Sequence, residues 1–520
     1  MKRRIYNILF HTHTVSGIVI SVALYVIFFA GSFSFFRDEI VSWERGHHVE
    51  IWDQIPEDID AYLEYLQGHY DLKGREVEIS HYYNERNINV SLSASKDSLA
   101  PEAAKARKFF YLDTEDFTAS DYKTNYGLGE FLYRLHFLDQ IPRPYGRYLS
   151  GFVALFFLFA LLTGIWIHWD KIVSNFYVFR PWAKLKTLWT DAHTALGLIG
   201  FPFQFVYALT GAFFLLKGIL ILPNVMALYG GDQKALFKDL EYAHPEYEYT
   251  YTPLETAPKI NTLLKKTLED WEDFKPTEVH IFNYGDANMH VAISGNLDYR
   301  EKFNGYGYRI FRWRDQAIVD ERIPRINNRY LDGVKNALFR LHLGDYGGLG
   351  LRVLSFILGL MSCVVILSGI MIWLVARDKK KVPEKKRRFN AKVANIYMAI
   401  CLSMFPITAL TFIAVKLHGS ERGFIYGTYF IGWLVLSILF SLKKDIGFTN
   451  KWCLVAGGAL SLLVPLANGF KTGLWPWVSF SKGYGQILLV DLLFALLGLI
   501  SLWVVFLRLP AKSAKIPKTP

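Results

Sequence analysis

Cysteine is nearly absent from this chain. Three occur in 520 residues, Cys363, Cys401 and Cys453, all inside apolar stretches and none in a ligand spacing such as CxxC. That excludes a disulfide framework, a thiolate zinc site and an iron–sulfur cluster. Charge is also scarce. Asp, Glu, Lys and Arg make up 20% of the residues against 52% hydrophobic, less charge than a soluble chain of this length carries. No glycine-rich dinucleotide turn follows a strand, and P-loop, HExxH and GxSxG patterns are missing. The chain therefore carries no nicotinamide or flavin domain and no recognisable hydrolytic centre.

The apolar residues are concentrated in runs. Eight reach the ~20 residues that cross a bilayer core: 14–36, 148–169, 194–222, 349–376, 391–417, 423–442, 452–470 and 484–507. The first has no small-residue cleavage site and stays aromatic to its end (Phe28, Phe29, Phe33, Phe35, Phe36), so it reads as a retained helix. Lys and Arg set the orientation. Lys2, Arg3 and Arg4, then Lys171, Arg180, Lys184 and Lys186, then 377–388, Lys443 and Lys444, and finally Lys512, Lys515 and Lys518 all fall on one side of an eight-helix chain. That side is expected to be the cytoplasm, with both termini inside. The net charge of +11 is a topological signal; no nucleic-acid partner is expected.

Two long segments then face outward, and they resemble each other. Each has an amphipathic helical stretch (56–69; 256–271) followed by alternating strand-like runs (77–83, 88–92 and 109–112; 279–284, 289–293, 308–311 and 317–319). Each reads as a small α+β module. The expected division is a first helix (1–36), an outer module (37–147), two helices joined by an inner loop (148–222), a second module (223–348), a fourth helix (349–376), a basic linker (377–390), a four-helix membrane bundle (391–510) and a tail (511–520). The first four helices and two modules form a tandem duplication, with parallel repeats about an axis along the membrane normal. The fold class expected is an α-helical membrane bundle with two outer α+β modules.

Four histidines follow this duplication. His13 and His193 open apolar runs in the pattern His-Thr-x-x-Gly; His136 and His342 precede apolar runs in Arg-Leu-His segments that end at Asp139 and Asp345. Ionisable groups at a membrane are costly and usually functional, and imidazole is a common axial ligand of haem iron. A pseudo-twofold axis pairs His13 with His193 at the inner end and His136 with His342 at the outer end. Gly17 and Gly197, one turn beyond the inner histidines, leave room for a flat macrocycle, or for close helix packing. Arg134 and Arg340 are placed to fork onto haem propionates, or onto headgroups. His168 ends the second run where the second copy has Trp373, and is an alternative inner ligand. His11 has no duplicate. His47, His48, His69, His81, His244, His280, His290 and His418 read as solvated or structural. The last four runs carry no such pattern.

These motifs carry a family resemblance. The two copies of His-Thr-x-x-Gly helix, outer module, Arg-Leu-His segment and return helix with Thr163-Gly164 or Ser368-Gly369 resemble the PepSY-associated transmembrane family over about residues 5–378. Within it, the chain looks like the FoxB-type ferrisiderophore reductases of the bacterial inner membrane. That resemblance implies PepSY-like periplasmic modules, b-type haem (two, from the paired histidines), a ferric siderophore as electron acceptor, and a role in iron uptake. Electrons would come from a membrane quinol or a cytoplasmic reductase. Two other readings stay open: a non-redox PepSY protein that binds or regulates a peptidase, and a transporter built on the last four helices.

Overall fold

A computed structural model describes residues 3–49, 53–177, 180, 185–240, 245–255, 258–300, 302–326 and 330–508. Lys2, Lys184, His244, Thr256 and the tail 511–520, with Lys512, Lys515 and Lys518, lie outside the described residues. Among those described, eight helices are long and apolar enough to cross a membrane: Arg3–Ser34, Tyr145–Ile167, Phe201–Leu228, Asp345–Arg377, Glu384–His418, Arg422–Lys443, Ile446–Thr472 and Gly485–Leu507. They are called the first to eighth spans below. Each corresponds to one expected run, and the chain is a multi-pass membrane protein. The second span shows why the sequence folds this way. Phe152, Phe156, Phe159, Leu162 and Trp166 form an exposed apolar stripe at helical spacing. The buried face carries the small residues Gly146, Ser150, Gly151, Ala154 and Ala160 beside Val153 and Phe157, and the small ones let helices approach closely.

The chain divides into two compact units. The membrane unit comprises Met1–Gly46, Tyr126–Leu220 and Gly350–Pro520; the sheet unit comprises His47–Asn125 and Ile221–Leu349. The first expected outer module (37–147) is therefore too wide. The helices Arg37–Arg45 and Leu128–His136 belong to the membrane unit.

In the membrane unit the fifth and eighth spans pack on the first. Phe33 meets Phe412 and Phe494, with ring centroids 6.4 and 5.9 Å away. A buried polar cluster sits beside them. Trp43 Nε1 donates to Asp491 Oδ1 at 2.8 Å, Asn468 Nδ2 donates to Asp491 Oδ2 at 2.9 Å, and Lys416 Nζ donates to the Trp43 carbonyl. A buried carboxylate is tolerable only with such partners. The fifth, seventh and eighth spans thus meet in one cluster with Trp43 of the helix that follows the first span, rather than standing apart from it.

The sheet unit differs from expectation in one respect. The two α+β modules share one eight-stranded antiparallel sheet of order β4-β3-β2-β1-β5-β6-β7-β8. Its strands are β1 Val77–Ser80, β2 Asn87–Leu92, β3 Lys108–Asp113, β4 Ala119–Ser120, β5 Phe274–Phe282, β6 His290–Leu297, β7 Tyr306–Arg312 and β8 Ala317–Arg322. The seam is β1 against β5, with Val77 opposite Ile281 and Ile79 opposite Val279. Separate modules would leave β1 and β5 as edges with unpaired backbone groups; joining them removes both. The helices Ile59–His69 and Ile260–Asp270 bury Ile59, Leu63, Leu66, Ile260, Leu263 and Leu264 in one core with the sheet. Their N-termini cap each other. Asp60 accepts from the backbone N–H of Asn261 at 3.3 Å, and Asn261 Nδ2 donates to Asp58 at 2.7 Å.

Candidate functional site

The inner histidines meet inside the membrane unit. His13 is carried by the first span. His193 lies in a single π-helical turn, Ala192–Leu196, just before the third span; such turns often mark functional positions. The ring centroids are 6.1 Å apart and the ring planes are inclined by 76°.

Each ring is held the same way. His13 Nδ1 lies 2.9 Å from the Ala160 carbonyl, and Thr163 Oγ1 stands 3.4 Å from the same nitrogen. His193 Nδ1 lies 2.9 Å from the Val365 carbonyl, with Ser368 Oγ at 3.4 Å. A carbonyl only accepts, so each Nδ1 carries the proton and each Nε2 keeps the lone pair that binds a metal. The glycines after Thr163 and Ser368 let the rings rest there. A Cβ on Gly164 would come within 3.2 Å of His13 Cε1, and one on Gly369 within 3.1 Å of His193 Cε1. Sequence comparison marked Thr163-Gly164 and Ser368-Gly369 only as a repeated pair; the missing signal was that the carbonyl acceptor lies three residues earlier in each copy.

The rings open on an apolar cavity of about 320 Å³, walled by Phe157, Leu161, Ile165, Leu198, Ile366 and Ile370. Gly17 and Gly197 line it. A Cβ on Gly17 would meet nothing within 4 Å, and one on Gly197 would meet only Val365, at 3.7 Å. A haem fits this donor set. Two metal–imidazole bonds of about 2 Å each put ring centroids roughly 6 Å apart, close to the 6.1 Å found here. His168 caps the second span and lines the same cavity, so it stays beside the pair as a rival ligand. His11 points elsewhere and is exposed. Asp191, its counterpart, instead takes a two-pronged contact from Arg180, at 2.8 and 3.0 Å.

His136 and His342 lie in different units. His136 ends the helix Leu128–His136, and its Nδ1 lies 2.9 Å from the Ile27 carbonyl of the first span. This is a third imidazole whose Nδ1 meets a helix carbonyl. Burial pushes its pKa below the ordinary value, toward the neutral form. A Cβ on Gly31 would come within 2.5 Å of that Nδ1. The apolar face of this helix is covered by protein: Phe131 packs on Tyr426, Tyr429 and Phe430, and Leu128, Leu132 and Leu135 are buried. His342 sits near the end of the helix Tyr330–Leu343, half-buried in the sheet unit.

The motif arginines are engaged within their own motifs. Arg134 meets Glu130 at 2.6 Å and Asp139 at 2.7 Å. Arg340 pairs with Asp345 and stacks 3.6 Å over the Tyr299 ring. The five-residue spacing of Arg and Asp in both copies thus encodes an ion pair that closes the histidine-bearing helix. Against the upward push of burial, Arg37 and Arg134 hold the Glu130 carboxyl below its usual range.

The model of the PepSY-associated TM region matches residues 10–376. The chain belongs to the PepSY-associated transmembrane family. The match takes in the four paired histidines and stops just before the basic linker. An uncharacterized protein of Pseudomonas aeruginosa (strain PAO1) is similar over 291 residues at 23% identity, covering 53% of this chain and 70% of that protein.

Proposed function

We propose that this family member is a haem-bearing electron-transfer protein of the bacterial inner membrane that reduces ferric siderophores in the periplasm. The observation that carries the reading is the His13–His193 pair, 6.1 Å apart, with each Nδ1 on a carbonyl of a return helix. Structural histidines have no need of matched carbonyls, matched glycines and a shared apolar cavity. When bound there, haem b supplies a one-electron Fe(III)/Fe(II) couple. The protein's part is to fix both imidazoles as neutral ligands, to keep water out with an apolar wall, and to hold the site near one membrane face.

On this reading the first four spans are a tandem duplication and the basic loops mark the cytoplasm. The Arg-Leu-His repeat of the sequence, rather than the geometry, is what assigns His136 and His342 to a second haem toward the periplasm. The donor is a membrane quinol or a cytoplasmic reductase. One electron passes to the ferric chelate, and Fe(II) is released because hard oxygen ligands hold it less well. No proton transfer to the acceptor is needed, in keeping with the lack of acid–base motifs. The test is to reduce the purified protein with stoichiometric dithionite and mix it anaerobically with a ferric hydroxamate siderophore and a ferrous trap. Reoxidation of the protein matched by trapped Fe(II) is expected; a protein that stays reduced contradicts the assignment.

A further inference from the structure

The cavity beside His13 and His193 has one feature that the ligand pair does not use. Arg377, the last residue of the fourth span, lines it. Among the described residues it is the one Asp, Glu, Lys or Arg side chain that lines the cavity. It is half-buried, its Nη1 donates to the Trp373 carbonyl at 3.4 Å, and its guanidinium lies 4.9 Å from the Trp373 ring centre. Among the described residues it forms no ion pair. The repeat does not explain it either. Trp373 corresponds to His168, and four residues further on Arg377 corresponds to Ile172. Among the described residues the positive charge stands on one side of the cavity rim only.

A guanidinium on an apolar wall without an acid is costly. Stacking on Trp373 fixes its plane and presents the fork that fits a carboxylate. We infer that Arg377 binds a carboxylate of the molecule that fills this cavity, which, resting on the haem reading above, is a propionate. Arg134 and Arg340, occupied within their own motifs, are not needed for this at the inner site.

The test uses the full-length protein in detergent. Haem per chain and the midpoint potentials are measured for the wild type, Arg377→Gln, Arg377→Lys and Lys379→Gln. Lys379 is exposed, two residues away, and controls for loss of one nearby charge. A positive charge at the rim favours the reduced form, so Arg377→Gln should lower one midpoint potential and leave the other in place. Arg377→Lys should recover most of the shift, and Lys379→Gln should produce none. An unchanged potential and haem content in Arg377→Gln overturns the inference and leaves the arginine to a lipid phosphate or to solvent. An equal shift from Lys379→Gln overturns it as well. If Arg377→Gln loses its haem altogether, recovery by Arg377→Lys supports the carboxylate contact, and equal loss in both contradicts it. A colourless wild type is a different failure: it removes the haem reading itself.

Discussion

Single residues decide whether the imidazoles are ligands or packing. Two glycines separate the sites. Alanine at Gly31 would drive a methyl into the His136 ring, turning it off the Ile27 carbonyl. Leucine at Gly17 meets open space at its Cβ and so leaves the helices in place while filling the inner cavity. On the proposed reading each variant folds and loses about half of its haem, with different spectral components lost. A pyridine haemochrome assay per chain checks this; full haem in both variants contradicts the assigned sites. A second residue-scale outcome concerns Glu76. Hydrogen bonding to His280, helped by Lys96, lowers its pKa from 4.5 to about 2. A carboxylate with a depressed folded-state pKa adds stability that is present above the unfolded value and is lost as pH falls toward the folded one. Thermal stability of the sheet unit should therefore decline from about pH 4.5 toward pH 2, and Glu76→Gln should flatten that slope. An unaltered slope in the variant assigns the acid sensitivity to other groups.

At the scale of elements, local pattern and long-range pairing part company. The eight apolar runs, both amphipathic helices and most strands were legible, because their periodicity is written in adjacent residues. The β1–β5 seam was not, since it joins segments about 200 residues apart and each strand's alternation is the same whether its neighbour is solvent or another strand. The buried Asp491–Trp43–Lys416 cluster was missed for a related reason. A lone Asp in an apolar run does not reveal which distant indole and amide will satisfy it. The shared sheet has a measurable consequence. Ile79 is fully buried at the seam, so Ile79→Ala should cost about 2–5 kcal/mol and lower the unfolding of both halves together. Differential scanning calorimetry or hydrogen exchange should show β2 and β6 losing protection in parallel. Loss confined to the first half would mean that the seam is not cohesive.

For the whole molecule, the repeated motifs were the strongest signal in the sequence, and the geometry gives two of them a physical reason. His-Thr-x-x-Gly meets Thr/Ser-Gly on a return helix, so that ring, carbonyl and glycine fit together twice. Arg-Leu-His closes with its own Asp. What the sequence could not supply was the identity of the acid partners, because Arg134 and Arg340 looked free to bind propionates, while Arg377 sat unnoticed in a basic linker. On the proposed reading these parts form a path for electrons from one membrane face to the other, and that path rests on haem held by paired imidazoles. The most direct measurement is the visible spectrum of the detergent-purified chain, expressed with ample haem supply, before and after dithionite. The account predicts a Soret band that shifts on reduction, sharp alpha bands of low-spin haem b, and two haems per chain. A folded, colourless protein, or one whose spectrum is untouched by His13→Ala and His193→Ala, would contradict it.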